Sequence, residues 1–326
     1  MRICWNTSIL LLLVPSLSWA DGLAITPKKA TLRGAAARQR LVVTLERGGK
    51  ATDVTREVQF ESLNPKIATV TADGIVIPVG DGLASVVARV DGAEARMTIR
   101  VIDGARDLPV TFEKDVQPIM TRFGCNAGAC HGKARGQNGF QLSLLGFDSD
   151  FDYAALVHEG RGRRIVPAAP EQSLLLRKPI GDMPHGGGRK LSADDPHYAK
   201  LRRWIAAGMP RTPETEPTIE KITLDPGERI LLPSAKGVTT GTQQQLLVTA
   251  HYSDQSTADV THLTMFQSNE SVIASVDAHG LIKAGPLPGE AAIMARFMEK
   301  FAVCNVIIPM PQSVPAEVYA KLPRNN

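Results

Sequence analysis

The sequence predicts a multidomain chain in which two all-β sandwiches flank an all-α middle, and three observations carry that expectation. Short β-branched runs fill the region from Leu23 to about Asp103, separated by turn residues roughly every 8 to 12 positions, as in an all-β sandwich. The same string of residues recurs in the second half of the chain at a constant offset of 206. Between the copies the apolar period changes from that of a strand to that of a helix.

The first block holds Leu41-Val42-Val43-Thr44-Leu45, Ile67-Ala68-Thr69-Val70, Gly74-Ile75-Val76-Ile77, Ala84 to Val90 and Ala95 to Val101. Gly48-Gly49, Asn64-Pro65, Asp73-Gly74, Gly80-Asp81-Gly82 and Asp91-Gly92 separate these runs. In the second block Asp259-Val260-Thr261 matches Asp53-Val54-Thr55, Phe266 matches Phe60, and Ser268 matches Ser62. Ile273-Ala274, Val276 and Gly280 match Ile67-Ala68, Val70 and Gly74. An ungapped match that keeps both the apolar set and the turn glycine argues for two copies of one fold. With a different segment between them, they form a duplicated domain and not a solenoid.

In the middle, Val116, Ile119, Met120 and Phe123 lie at i, i+3, i+4 and i+7, with Pro118 tolerable near the first turn. Farther on, Asp195-Pro196 reads as N-cap and first helical residue, Tyr198, Leu201, Trp204 and Ile205 form an apolar stripe, and Gly208 closes it. The expected division is a signal peptide over 1–20, a first sandwich over 21–105, a helical domain over 106–213, a second sandwich over 214–310 and a tail over 311–326.

Met1-Arg2, an apolar run from Ile9 to Val14, Pro15 and Ser18-Trp19-Ala20 make the pattern of a secretory signal peptide. The run is too short to span a bilayer, so no transmembrane segment is expected in the mature chain and its place is periplasmic or otherwise extracytoplasmic. Cleavage after Ala20 removes Arg2 and Cys4 and leaves a net charge near +3, too little for a nucleic-acid footprint. Cys125, Cys130 and Cys304 remain, an odd set that argues against a cystine scaffold. Cys304, inside the apolar run Phe301 to Ile308, reads as a buried strand residue.

Cys125-Asn126-Ala127-Gly128-Ala129-Cys130-His131 carries the chemistry. Two thiols with a histidine directly after the second attach a c-type haem: each thiol bonds a porphyrin vinyl and the imidazole sits under the iron. The spacer has four residues where the common motif has two, and wider spacers of this kind occur in c-type cytochromes. A Cys125 to Cys130 disulfide and a partial zinc site are the competing readings, although the further paired ligands that zinc wants are not visible. The expected cofactor is one covalent haem c on Cys125 and Cys130, with His131 as proximal ligand.

The two β blocks resemble bacterial immunoglobulin-like domains of the second group, on Asp-Val-Thr, Phe-x-Ser, Ile-Ala-x-Val and the turn glycine. A helix leading into the attachment motif and another packing across it is the minimal class I cytochrome c plan. Three blocks are more specific: Val110 to Ile119, Gly139 to Asp148 and Met183-Pro184-His185-Gly186-Gly187-Gly188. Together with the flanking domains they are similar to the N-terminal part of planctomycete-type cytochrome c proteins, in which further domains usually follow. The resemblance implies a shortened or split member of that family. It makes His185 the distal iron ligand ahead of Met183, which holds the axial position in general monohaem cytochromes; a third reading leaves the loop only covering the haem edge. Arg161, Arg163, Arg164 and Arg189 are candidate propionate partners, or simply a solvated basic face.

The functional expectation is an exported electron-transfer module serving a redox partner protein, an electron carrier more than a catalyst. The alternative is an envelope or cell-surface interaction protein whose immunoglobulin-like domains contact a protein or glycan. No nucleophile elbow or phosphate loop is present. His158, His197, His251, His262 and His279, without metal-like spacing, read as surface or capping residues.

Overall fold

Alternating apolar residues dictate the strands, and the turn residues decide where each one stops. The computed structural model describes residues 22–310 and Glu317, so the expected signal peptide and, but for Glu317, the tail lie outside the described residues. In the first block, β1 (Gly22–Thr26), β4 (Val42–Arg47) and β5 (Lys50–Asp53) form a sheet in the order β1-β4-β5. A second sheet runs β2 (Lys29–Arg33), β10 (Ala93–Ile102), β9 (Gly82–Val90), β6 (Gln59–Ser62), with β2 parallel to β10. A third runs β3 (Gln39–Arg40), β8 (Ile75–Pro78), β7 (Ala68–Val70).

The second block repeats this topology strand for strand. Its sheets run β11 (Ile219–Asp225), β14 (Leu247–Tyr252), β15 (Thr257–Asp259), then β12 (Glu228–Ile230), β20 (Lys300–Ile308), β19 (Gly289–Phe297), β16 (Met265–Ser268), then β13 (Gln243–Gln245), β18 (Leu281–Ala284), β17 (Ala274–Val276). The one parallel pairing recurs as β12 on β20. The repeated residues hold equivalent posts. Gly74 and Gly280 both take positive φ, and a side chain there would strike the ring of Phe60 or Phe266 at about 3 Å, so glycine and phenylalanine recur together.

The Asp-Val-Thr string joins the copies. Thr55 and Thr261 hydroxyls accept from Val43 and Val248 of their own copy at 2.8 and 2.9 Å, and Asp53 and Asp259 each accept from the backbone of the threonine two residues on. The second oxygen of each aspartate reaches the other copy: Asp259 accepts from Arg40 N at 2.6 Å and Asp53 from Gln245 N. Arg40 and Gln245 are themselves equivalent, since Gln39 and Gln244 donate to their carbonyls at 2.8 and 2.7 Å. The sandwiches therefore dock through a pseudo-two-fold exchange of strand-edge N–H groups.

The expected all-α class I cytochrome c-like domain is not what lies between them. The middle contains α1 (Gln117–Arg122), α2 (Ser149–Tyr153), α3 (Leu174–Arg177) and α4 (Pro196–Ala206), of which only α4 exceeds 6 residues. Short π and 3₁₀ turns and loops make up the rest. The physical reason is glycine: Gly124, Gly136, Gly139 and Gly146, with Asn138 and Leu145, all adopt positive φ between α1 and α2, where a helix cannot continue. The apolar stripe from Val116 to Phe123 is consumed by a π turn, Phe112–Val116, and one short helix. Nor does the middle keep a core of its own. Phe112, Ile119, Leu201 and Trp204 belong to one continuous apolar cluster with Val248, Ile293 and Val306 of the second sandwich, whereas Leu41, Val86 and Ile99 of the first close a separate core.

Candidate functional site

Chain direction after α1 is set by backbone bonds. Cys125 N donates to Met120 O at 2.8 Å, His131 N to Cys125 O at 2.9 Å, and Leu142 N to His131 O at 2.8 Å, so the Cys-His stretch curls into a compact knot. Gly132 is required inside it, because a Cβ there would lie 2.0 Å from Asn126 O. Below the knot, Asp152 is fully buried and accepts from Ser143 N at 2.5 Å, Ser143 Oγ at 2.9 Å and Gln117 Nε2 at 3.0 Å. Burial raises the Asp152 carboxyl above its ordinary value against the pull of these bonds. Asn126 Nδ2 adds a bond to Thr121 Oγ1 at 2.8 Å. This polar frame holds the loop that follows His131, and no sequence pattern announced it.

Cys125, Cys130, His131, Met183 and His185 are all partly buried. The cysteines are free, which leaves no disulfide between them. Desolvation pushes the Cys125 thiol up to about 11, so at neutral pH it is a protonated thiol. His131 Nδ1 is within 2.9 Å of Phe140 O and His185 Nδ1 within 2.9 Å of Gly188 O, which leaves Nε2 of each ring for other use. The two rings lie nearly parallel, 13° apart, with centroids 6.4 Å from each other. Burial, ahead of the nearby His185, Lys178 and Arg164, holds the His131 imidazole below its ordinary value and thus neutral. Met183 precedes His185 by two residues on the same loop, which Lys190 N and Leu191 N tie back to Pro179 O at 2.7 and 3.1 Å.

Exposed apolar side chains border the knot. Leu144, Phe147 and Phe151 are 47%, 72% and 38% exposed and border a cleft of about 250 Å³ that Gly132 and Leu142 also line. Two of the four expected propionate partners are otherwise employed. Arg164 lies over the Phe140 ring at 4.5 Å and donates to Ala155 O and Gly139 O, and Arg189 Nε donates to Leu191 O at 3.0 Å. The Arg161 side chain lies outside the described residues.

Against known proteins, no family model matches this chain and no curated protein matches it. Among solved structures it is similar to domains 5-6 of the S-layer protein SbsC, with TM-score 0.36 and 11% identity over 89% of this chain and 98% of that one. Of a longer SbsC structure, rSbsC(31-844), it spans 28%, at TM-score 0.24 and 11% identity over 91% of this chain. It is also similar to mouse clustered PcdhgC3 EC1-3, with TM-score 0.22 and 9% identity over 90% of this chain and 68% of that one. All three TM-scores are below 0.5, so the fold is defined by its own strand pairing.

The reading as an electron-transferring cytochrome c is thereby corrected. The all-α cytochrome c fold is missing, and among the described residues no group of three or more His, Cys, Asp or Glu side chains is placed to hold a metal ion. No described helix is long and apolar enough to cross a membrane. Sequence reasoning also missed His197 and His262, taken for surface or capping residues, which meet between α4 and the second sandwich with centroids 6.2 Å apart.

Proposed function

We propose that this chain is an extracytoplasmic interaction module that docks an envelope or surface protein on the outer face of its second sandwich. One comparison internal to the chain carries the reading. The β9/β10 hairpin closes at Val90 and Ala93, the β19/β20 hairpin at Phe297 and Lys300, so Glu94 and Arg96 are equivalent to Phe301 and Val303, and Arg100 to Ile307. On the first copy this face is charged, with Glu94 paired to Arg89 at 2.8 Å and to Arg96 at 2.6 Å. On the second these positions are apolar: Phe301 and Val303 are 53% and 49% exposed, and Ile230, beside Ile307, is 61% exposed, with Glu228, Glu290 and Arg296 beside them. Duplicates share one fold, so folding does not demand this apolar face, and contiguous exposed apolar surface marks binding sites for protein.

The first copy supplies the test. Phe301→Glu with Val303→Arg writes its residues onto the second copy without altering the strand. Sedimentation of purified protein with envelopes stripped of it is expected to fall at least tenfold, with an unchanged circular dichroism spectrum. Equal sedimentation of the variant and the parent sinks the docking face.

A second reading concerns the cofactor, and the parallel His131 and His185 rings favour it. Two metal–imidazole bonds of about 2.0–2.1 Å, each extended by a ring radius of about 1.2 Å, span about 6.4 Å. The residues present fit the group: Cys125 and Cys130 would hold haem c covalently, and His131 and His185 each keep Nε2 free for the iron, with Met183 as the other candidate on the loop. This reading has the resemblance to planctomycete-type proteins as its premise and makes no claim on a redox partner. Protein matured in a haem-competent periplasm is expected to keep its pigment through acid-acetone extraction, and Cys125→Ser with Cys130→Ser to lose it. A colourless parent protein excludes the cofactor.

A further inference from the structure

The geometry points to a second site, distinct from the Cys-His knot: a divalent zinc-like ion held between His197 and His262, with water completing its shell. The two rings come from different parts of the chain, His197 from the first turn of α4 and His262 from the 3₁₀ turn Thr261–Leu263. Their planes lie 30° from parallel, with centroids 6.2 Å apart. His197 Nε2 and His262 Nδ1 are both removed from solvent and both without a hydrogen-bond partner. Leaving two such nitrogens unsatisfied within one contact is costly, so something bridges them.

The chemistry of the pair favours a cation. Asp195 Oδ1 accepts from His197 N at 2.8 Å and lies 2.7 Å from His197 Nδ1. That carboxylate fixes the proton on Nδ1 and leaves the Nε2 lone pair free to bind, as in the carboxylate–histidine–metal arrangement. Two zinc–imidazole bonds of about 2.0–2.1 Å, with a ring radius of about 1.2 Å on each side, put the centroids about 5–6.5 Å apart according to the angle at the metal. Phe123 packs edge-on against His197 at 5.4 Å and limits its rotation. Burial, ahead of the nearby Arg38 and Lys200 and, at His262, Arg122, keeps both rings neutral, as ligands must be. Lys200 is offset by Asp115 at 2.9 Å, and Arg122 by Asp195 and Asp277. Such an ion would staple α4 to the turn that follows Asp259-Val260-Thr261, at the point where the copies exchange hydrogen bonds.

Co²⁺ serves as the spectroscopic probe and Zn²⁺ as the stabilising one. In the full chain carrying Cys125→Ser and Cys130→Ser, one equivalent of Co²⁺ is expected to give d–d absorption without a thiolate charge-transfer band. His197→Gln and His262→Gln should each weaken Co²⁺ binding at least tenfold, while His131→Gln with His185→Gln leaves it unchanged. Zn²⁺ should raise the unfolding midpoint of the parent and not that of His262→Gln. X-ray absorption of the zinc-loaded Cys-free chain, with two imidazoles in the shell, keeps the test open if either variant folds poorly. A saturable signal that is absent, that persists in both variants, or that moves to His131 and His185 overturns the site and leaves a bridging water only.

Discussion

His262 shows how one side chain can set the response of the protein to acid. Burial, ahead of Arg38, Lys200, His197 and Arg122, holds its imidazole well below the ordinary value, and His197 and His131 are held low for the same first reason. The unfolded chain therefore takes up protons near pH 6.5 that the folded chain refuses. Stability contributed by these neutral rings is present above pH 6.5 and drains away as pH falls toward their folded values, at up to about 1.4 kcal/mol per pH unit for each ring. Asp152 and Asp259, raised by burial, act with the opposite sign and gain as pH falls through their own folded values. Urea midpoints in chelator-treated buffer are expected to fall between pH 7 and pH 5, and less steeply in His262→Gln. An identical slope in that variant would place the acid sensitivity elsewhere.

Among the elements, α4 is the one whose beginning and end are both written in side-chain chemistry. Asp195 caps it, Pro196 starts it, and Gly208 at φ +83 ends it. Asp195→Ala should cost about 1 kcal/mol for the cap and more where His197 loses its orienting carboxylate, read as a lower urea midpoint. No change would mean that packing of Leu201, Trp204 and Ile205 alone defines the helix. The strands were legible for a similar reason, since alternation and turn residues sit in the same short window. The all-α middle was misread because Val116, Ile119, Met120 and Phe123 satisfy a helical period over less than three turns. What then shapes the chain is non-local: Asp152 under Ser143, Gln117 under Gly146 O, and glycines at positive φ. Likewise, the spacing of Cys125, Cys130 and His131 was visible, but His185 reaches His131 only because Pro179 O gathers a distant loop. His197 and His262 are 65 positions apart and carry no shared pattern, so nothing in the sequence joined them.

For the whole molecule, the distribution of core contacts decides what unfolds together. The first sandwich closes its core with Leu41, Val43, Val76, Val86 and Ile99, and meets the second through hydrogen bonds exchanged by Asp53 and Asp259. The middle has no such independence, because Phe112 and Trp204 share one cluster with Leu246, Val248 and Ile293. A polar joint of this kind contributes about 1.5–3 kcal/mol per bond to a charged group, less than the loss of a core side chain. Two unfolding transitions are therefore expected, one for the first sandwich and one for the middle with the second. Nature has supplied the probe: of the three tryptophans, Trp5 and Trp19 fall in the expected signal peptide, so Trp204 reports alone in the processed chain. Its indole is fully buried against Phe112, at 5.7 Å between centroids, and its Nε1 donates to Pro210 O at 3.0 Å, so its fluorescence changes when the middle opens. Leu41→Ala and Leu246→Ala remove equivalent, fully buried side chains and should each cost about 2–5 kcal/mol. Leu246→Ala, although it lies in the second sandwich, should lower the fluorescence midpoint; Leu41→Ala should lower a calorimetric transition and leave the fluorescence midpoint in place. If Leu41→Ala moves the Trp204 signal by the same amount, the exchanged aspartate bonds couple the sandwiches into one cooperative unit, and the two-transition account fails.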